Sequence, residues 1–445
     1  MQTLLLKYWY RLRSSFWFVP ATMACLAVAM AFCSVELDKA VTDDWLEFLG
    51  WSYSGGAEGA SLLLGTVAGS MIAIAGTVFS MTLVALSLAS SQLGPRLLRN
   101  FMRDTANQVV LGTFVATFLY CLLVLRTIRR ADEVAFVPHL SVSIGVLLAI
   151  VSVGVLIYFI HHISVSIQAD QVVARVGREL DNGIDRLFPG GFGNARSATS
   201  RAPIEANLPA EFARQACPLA ALKDGYLQMI DADVLMALAS QEDLLLRLER
   251  RPGHYLTKGR AMLMVWPGDR LTETLAGKLN AAFVLGNQRS AAQDVEFSLL
   301  QLVEIAVRAL SSGINDPFTA VACVDRLESA LCRLAQRDMP ATNRFDDDEQ
   351  LRLVAPGATF VGIVDAAFNQ IRQSARSNPA VAIRMLDAIA QIAGHVNSLQ
   401  QATCLHRHAG MIVKGAREAV PEADDVLAVE ERFTAATLAL RNFRS

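Results

Sequence analysis

The chain has 445 residues, of which 53% are hydrophobic and 18% are charged, and its formal net charge at pH 7 is −2. Soluble domains average about 25% charged residues, so this composition excludes a chain that faces water along its whole length. The near-neutral charge, without any basic run, also excludes the usual surface for binding nucleic acid.

Four apolar stretches are long enough to cross a bilayer, whose hydrocarbon core requires about 20 residues of helix. Two segments lack charged residues, since residues 61–93 and 139–169 contain no Asp, Glu, Lys or Arg. The sequence therefore predicts a transmembrane domain over residues 1–167, with spans at about 16–35, 62–92, 108–125 and 140–163. The basic flank of the first span also suits a cleaved signal peptide. Its apolar core continues to Val35 behind an aromatic belt, however, so we expect it to be retained.

Lys and Arg near the span ends predict that both termini lie in the cytosol. Three basic residues precede the first span and three follow the second, whereas the loop between these spans holds only Lys39. Arg126, Arg129 and Arg130 fall in the second outer loop and conflict with this orientation. The seven cysteines are dispersed without a CxxC pair, which fits a reducing compartment around the soluble part.

The second span carries a stripe of small and hydroxyl residues at alternating spacings of four and three. At 100° per residue the stripe occupies a wedge of about 100°. Six of its eight positions are hydroxyl residues and are the candidate pore-lining set, and the other two are Ala73 and Val84. The six are Thr66, Ser70, Thr77, Ser80, Ser87 and Ser91. Gly65, Gly69 and Gly76 border this stripe and are the candidate helix-packing residues.

Two interpretations of the stripe stay open. Small and hydroxyl residues let membrane helices approach closely and hydrogen-bond to each other, which explains the glycines well. Alternatively, symmetry-related copies of this helix surround a water-filled path, with the hydroxyls facing the permeant species. No ionisable residue lies within residues 62–92, which favours passive conduction over a proton relay or a coupled transporter.

The soluble part is predicted to be of mixed α and β structure. Residues 168–216 form a helix and a linker, with the linker rich in Gly, Ser, Ala and Arg over 189–203. Residues 217–290 suggest a small β-rich module, such as a compact barrel, because short alternating segments are separated by Pro-Gly and Lys-Gly turns. Residues 291–445 read as a helical bundle, including one long helix over 379–415.

The soluble part shows no assembled catalytic chemistry. The segment Asn315-Asp316-Pro317 is predicted to be a structural cap, with Asp316 as the N-cap and Pro317 at the first helical position. The chain contains no Walker A motif, no HExxH and no GxSxG, and we predict neither an enzyme nor a bound cofactor. We also predict no metal site, since His406 lies about 160° from Cys404 and His408 on a helical wheel. His161-His162 and the acidic run 346–349 are interpreted as interfacial and solvated residues.

Two longer motifs resemble the signatures of a family of bacterial membrane proteins known as domain of unknown function 2254. They are residues 79–96 and 308–317, together with Gln293-Asp294, and the resemblance covers nearly the whole chain. One departure is Ser311-Ser312-Gly313, where the family pattern has Ser-Pro-Gly or Ser-Pro-Ala. The resemblance implies a multi-pass protein of the bacterial inner membrane with a cytosolic C-terminal domain, and it implies no activity.

The leading functional hypothesis is an oligomeric, passively conducting channel, lined by the second span, with the soluble domain as a cytosolic vestibule or gate. Its expected partners are the lipid bilayer, further copies of the same chain and a small inorganic ion, and not nucleic acid. The alternative is a non-conducting scaffold or sensor that presents the soluble domain to partner proteins. A third hypothesis is an enzyme that uses the Asn315–Asp316 region.

Overall fold

The computed structural model describes residues 17–40, 56–94, 104–129, 136–166, 168–188 and 208–441. The chain divides into two compact units, Met1–Gln171 and Val172–Ser445. The basic residues at positions 7–13 and 96–103, on which the orientation depends, lie outside the described residues, as does the linker at 189–203.

The first unit contains the four predicted membrane helices, and this prediction is confirmed. Each helix is long and apolar enough to cross a membrane. Their bounds are α1 (Phe18–Ala40), α2 (Ala57–Leu93), α3 (Thr105–Leu125) and α4 (His139–Ser166). At 1.5 Å per residue, the 37 residues of α2 span about 55 Å, well beyond the hydrocarbon thickness of about 30 Å. This helix must therefore tilt or extend into water.

Helix α3 is the centre of the membrane unit, because it packs against α1, α2 and α4. Phe114 and Tyr120 on this helix are fully buried. The Tyr120 hydroxyl is 2.9 Å from Ser34 Oγ and donates to the Ser141 carbonyl at 3.1 Å. A polar network therefore joins α1, α3 and α4 inside the apolar core.

Asp38 near the end of α1 caps the start of α4. Its carboxylate accepts hydrogen bonds from the backbone N–H groups of Leu140 at 2.8 Å and Ser141 at 2.9 Å. It also accepts one from the Ser141 hydroxyl at 2.5 Å. The first N–H groups of a helix have no partner within the helix, so a carboxylate at this point satisfies donors that would otherwise be costly to bury.

The second unit combines two sheets with a helical layer. Its first elements are α5 (Ala169–Leu187), α6 (Phe212–Gln215), β1 (Cys217–Ala220), β2 (Gly225–Ile230), α7 (Ala232–Gln241), β3 (Leu245–Leu248), β4 (Tyr255–Leu256), β5 (Ala261–Trp266), α8 (Glu273–Ala281) and β6 (Phe283–Gly286). The helical layer follows as α9 (Val295–Ala309), α10 (Pro317–Ala335), α11 (Phe360–Ser374), α12 (Pro379–Ala393), α13 (Leu399–Ala419) and α14 (Ala423–Arg441). The predicted fold class, membrane helices followed by an α+β domain, is confirmed.

The strands form two sheets, so the expected compact barrel over 217–290 is wrong. One sheet has the order β4-β2-β6. The other has five strands, with β7 (Asn343–Phe345) and β8 (Leu351–Val354) at one side, in the order β1-β5-β3-β8-β7. The five-stranded sheet takes in β7 and β8 from the region expected to be helical. Strand β8 pairs with β3 in parallel, with Leu246 opposite Leu353, while the other pairs are antiparallel.

The helical layer buries apolar residues from neighbouring helices, including Leu302, Val324, Phe368, Ile389 and Leu405, each fully buried. The single helix expected over 379–415 is wrong, because the chain breaks between α12 and α13. Gly394 caps the end of α12, and the Ser398 hydroxyl accepts from the Gln401 N–H at the start of α13. A serine N-cap starts a new helix by satisfying its first free N–H groups.

Candidate pore-lining helix

Helix α2 uses one face to pack inside its own chain. Buried residues recur along it at spacings of three, four or, across the half-buried Thr82, seven: Leu64, Ala68, Met71, Ala75, Val78, Ala85 and Ala89. These residues face the neighbouring helices α3 and α4, with which α2 is in contact. Alanine is frequent on this face, and its small side chain lets the helices approach closely.

The hydroxyl stripe lies on the opposite face of α2. All six candidate pore-lining residues (Thr66, Ser70, Thr77, Ser80, Ser87, Ser91) are exposed, as are Ala73 and Val84 between them. At 100° per residue the centres of the two faces are roughly opposite on the helical wheel. The stripe therefore takes no part in packing within the described residues of the chain.

Several of these hydroxyl groups donate their proton to the backbone of the preceding turn. Thr66 Oγ1 donates to the Leu62 carbonyl at 2.7 Å, and Ser70 Oγ donates to the Thr66 carbonyl at 2.8 Å. Thr77 and Ser91 make comparable bonds to the carbonyls of Ala73 and Leu88. A hydroxyl has two acceptor lone pairs besides its one proton, so these oxygens can still accept a hydrogen bond or approach a cation.

The candidate packing glycines also face open space. A Cβ built on Gly65, Gly69 or Gly76 would meet no atom within 4 Å outside its own helix and chain neighbours. The contrast is Gly112 on α3, where a Cβ would lie 2.5 Å from Met23 Sδ and 3.2 Å from Pro20 Cα. The glycines of α2 therefore serve no close helix approach within the described part of this chain.

The structural cap predicted at Asn315, Asp316 and Pro317 belongs to the second unit. Asp316 is the N-cap of α10, and Pro317 is the first residue of that helix. Asp316 Oδ1 accepts from the Thr319 N–H at 3.1 Å, and Oδ2 accepts from the Thr319 hydroxyl at 2.5 Å. Asn315 precedes the cap with a φ of 49°. Both oxygens of this carboxylate are therefore engaged in holding the helix start.

The two histidines that end α4 have different surroundings. His161 is exposed, while His162 Nε2 lies 2.8 Å from Asp104 Oδ2 and 3.3 Å from Ser166 Oγ. Asp104 is also the N-cap of α3, where it accepts from the Ala106 N–H. The contact between His162 and Asp104 thus joins the end of α4 to the start of α3.

Sequence reasoning missed one cluster of possible metal ligands in the second unit. Asp365, Cys404 and His408 each offer a ligand atom, and these atoms all lie within 4.8 Å of one another. The spacing of Cys404 and His408 on one helical face was visible in the sequence. The third ligand comes from another helix, and no local pattern could have supplied it.

Comparison with known proteins finds one family of predicted membrane proteins and several uncharacterized relatives. A family model described as "Predicted membrane protein (DUF2254)" matches residues 13–391. Uncharacterized proteins of Mycobacterium tuberculosis and of Mycobacterium bovis are each 33% identical to this chain over 368 residues. The match covers 80% of this chain and 68% of each relative. No solved structure matches the chain.

Proposed function

We propose that this chain, which belongs to the DUF2254 family of predicted membrane proteins, is the subunit of an oligomeric, passively conducting ion channel lined by α2. The family description assigns no activity, so the proposal rests on the residues of the chain. The observation that carries it is the exposed hydroxyl face of α2, which lies opposite the face that packs inside the chain.

A lipid-facing surface explains this face less well. Hydroxyl groups are tolerated against lipid when they donate to a backbone carbonyl, but they gain nothing there that an apolar residue would not. Large apolar residues, which suit contact with lipid, occupy other exposed positions of α2. Ile72, Met81 and Leu83 are 47%, 45% and 50% exposed, and none belongs to the stripe. Hydroxyls confined to one exposed face are better explained by a polar environment along that face.

The chemistry of the stripe suits passive conduction. Oxygen lone pairs can replace part of the hydration shell of an ion without a fixed charge that would bind it tightly. Glu58 in the first turn is the only Asp, Glu, Lys or Arg among the 37 residues of α2. A pump or coupled transporter usually requires an ionisable residue at membrane depth. Copies of α2 around a common axis would thus form an uncharged, water-lined path.

The second candidate function is a non-conducting scaffold or sensor, and the glycines of α2 favour it. Gly65 and Gly69 form a GxxxG pair, and the open space beside them would admit a second α2 helix. Two such helices could pack without water between them, with the hydroxyls hydrogen-bonding across the contact. Both candidates require assembly of several copies, and they differ in whether water reaches the stripe.

Cysteine accessibility separates these candidates. Single cysteines would be placed along α2 in a background lacking the seven native cysteines, and the protein would be exposed to a membrane-impermeant, polar thiol reagent. A wetted cysteine ionises in part and reacts, whereas one in lipid or in a dry contact stays protonated. The channel predicts labelling at positions 66, 70, 77, 80 and 87 with the period of a helix.

Two control positions lie outside the stripe. Val78→Cys tests the buried face, where the native side chain is 2% exposed, and Leu83→Cys tests an exposed face outside the stripe. Neither should react. Unreactive cysteines throughout the stripe, in a protein that still cross-links between copies, would favour the scaffold. Labelling without any helical period would count against both candidates.

A further inference from the structure

The cluster of Asp365, Cys404 and His408 joins two helices of the second unit. Cys404 and His408 lie four residues apart on α13 and so share one face, and Asp365 faces them from α11. His408 Nε2 is 2.7 Å from Asp365 Oδ1. A carboxylate oxygen, a thiol sulfur and an imidazole nitrogen thus converge within 4.8 Å.

The cluster is held in place by its surroundings. His408 is fully buried and Cys404 is 4% exposed. The Phe368 ring on α11 meets the His408 ring edge to face, with centroids 5.7 Å apart and planes at 70°. Among the described residues, His408 Nδ1 has no hydrogen-bond partner although it is buried. Burial and the contact with Phe368 therefore fix the position of the imidazole, whose Nε2 faces Asp365.

A positive group already lies against the cluster. Arg407 Nη2 contacts Asp365 Oδ1 and lies 3.8 Å from Cys404 Sγ. The Arg407 side chain is 50% exposed, so it can leave the cluster for solvent without unfolding the helix. The guanidinium therefore marks a position that attracts a cation, and its side chain can be displaced by one.

We propose that Asp365, Cys404 and His408 form a binding site for a divalent metal ion of the zinc class, which displaces the Arg407 guanidinium. Thiolate, imidazole and carboxylate are the ligand types that zinc prefers, and calcium or magnesium would require more oxygens. With ligand bonds of about 2.0–2.3 Å, a tetrahedral site has edges of about 3.3–3.8 Å. The carboxylate and imidazole would separate slightly from 2.7 Å, and the fourth position would be left to water.

The ligand groups must lose any bound proton before they bind a metal ion. Burial lowers the pKa of His408, so its imidazole is neutral near pH 7, the form that binds a metal. Burial raises the pKa of the Cys404 thiol, so metal binding would release its proton. The ion would link α11 to α13 within the helical layer. Metal binding at this site does not require that α2 conducts.

Metal titration of the full chain in detergent tests the site. After treatment with a chelator, the protein would be titrated with Zn²⁺ by calorimetry and with Co²⁺ by absorption spectroscopy. We expect one ion per chain and a thiolate-to-cobalt charge-transfer band in the near ultraviolet. Cys404→Ser should abolish the band and weaken zinc binding at least about tenfold.

Arg407→Ala distinguishes a metal site from an ion-pair network, because removing a competing cation should tighten zinc binding several-fold. Two matched controls, Cys332→Ser and His406→Gln, should leave the titration unchanged; His406 lies on the same helix but contacts Phe433. The proposal is overturned if the wild-type chain takes up no ion, if Cys404→Ser binds as tightly as wild type, or if Arg407→Ala binds no better.

Discussion

At the scale of the single residue, Asp316 has a structural role as the N-cap of α10. The left-handed φ of 49° at Asn315 turns the chain, and the Asp316 N–H donates to the Ala309 carbonyl at the end of α9 at 2.8 Å. Asparagine tolerates this backbone region better than most residues. The same carboxylate then caps α10. This geometry accounts for the polar pair without assigning it chemistry.

Substitutions at Asp316 should follow the energetics of an N-cap. We expect Asp316→Asn and Asp316→Ser to leave the free energy of unfolding of the second unit nearly unchanged, since both side chains can accept from the Thr319 N–H. Asp316→Ala should lower it by about 0.5–2 kcal/mol. Chemical denaturation of the detergent-solubilised protein measures this, with the exposed Asp338→Ala as control. A folded Asp316→Asn protein that loses its function would instead support a chemical role.

At the scale of the element, Gly69 on α2 faces open space, whereas Gly112 on α3 is closely packed. Substitution by alanine should therefore have different effects at the two positions. The methyl group added by Gly69→Ala meets open space, so it should not destabilise the subunit. In the proposed assembly of copies through α2, it should lower the fraction of oligomer. Gly112→Ala would crowd Met23 and the backbone of Pro20, so it should cost about 1–3 kcal/mol of stability. Cross-linking in membranes and thermal unfolding measure the two effects. A Gly69→Ala protein that assembles normally would show that Gly69 does not lie in a contact between copies.

The elements that could be predicted from the sequence are those set by local patterns. The four membrane helices follow from apolar runs, and α10 follows from Asp316-Pro317 at its start. Strands β7 and β8 could not be placed, because β8 pairs with β3 more than 100 residues earlier in the chain. The cluster of Asp365 with His408 likewise depends on the packing of α11 against α13. Contacts distant along the chain leave no periodic trace in the sequence.

The orientation of the protein in the membrane is a property of the whole molecule, and it stays a prediction from the distribution of Lys and Arg. A reporter that is active only outside the cytosol should be silent when fused after Ser445. The same reporter should be active when fused near Asp43, in the loop between the first two spans. Opposite results at both fusion points would reverse the orientation, and Arg126 and Arg129 would then become the cytosolic anchors.

We propose that water and ions pass along the hydroxyl face of α2. The most direct measurement is ion flux into liposomes that contain the purified protein, with Thr77→Cys in a background lacking the native cysteines. We predict flux above that of empty liposomes, and we predict that a polar thiol reagent reduces it for Thr77→Cys but not for Leu83→Cys. Flux no greater than in empty liposomes, from protein shown to be folded and assembled, would contradict the account.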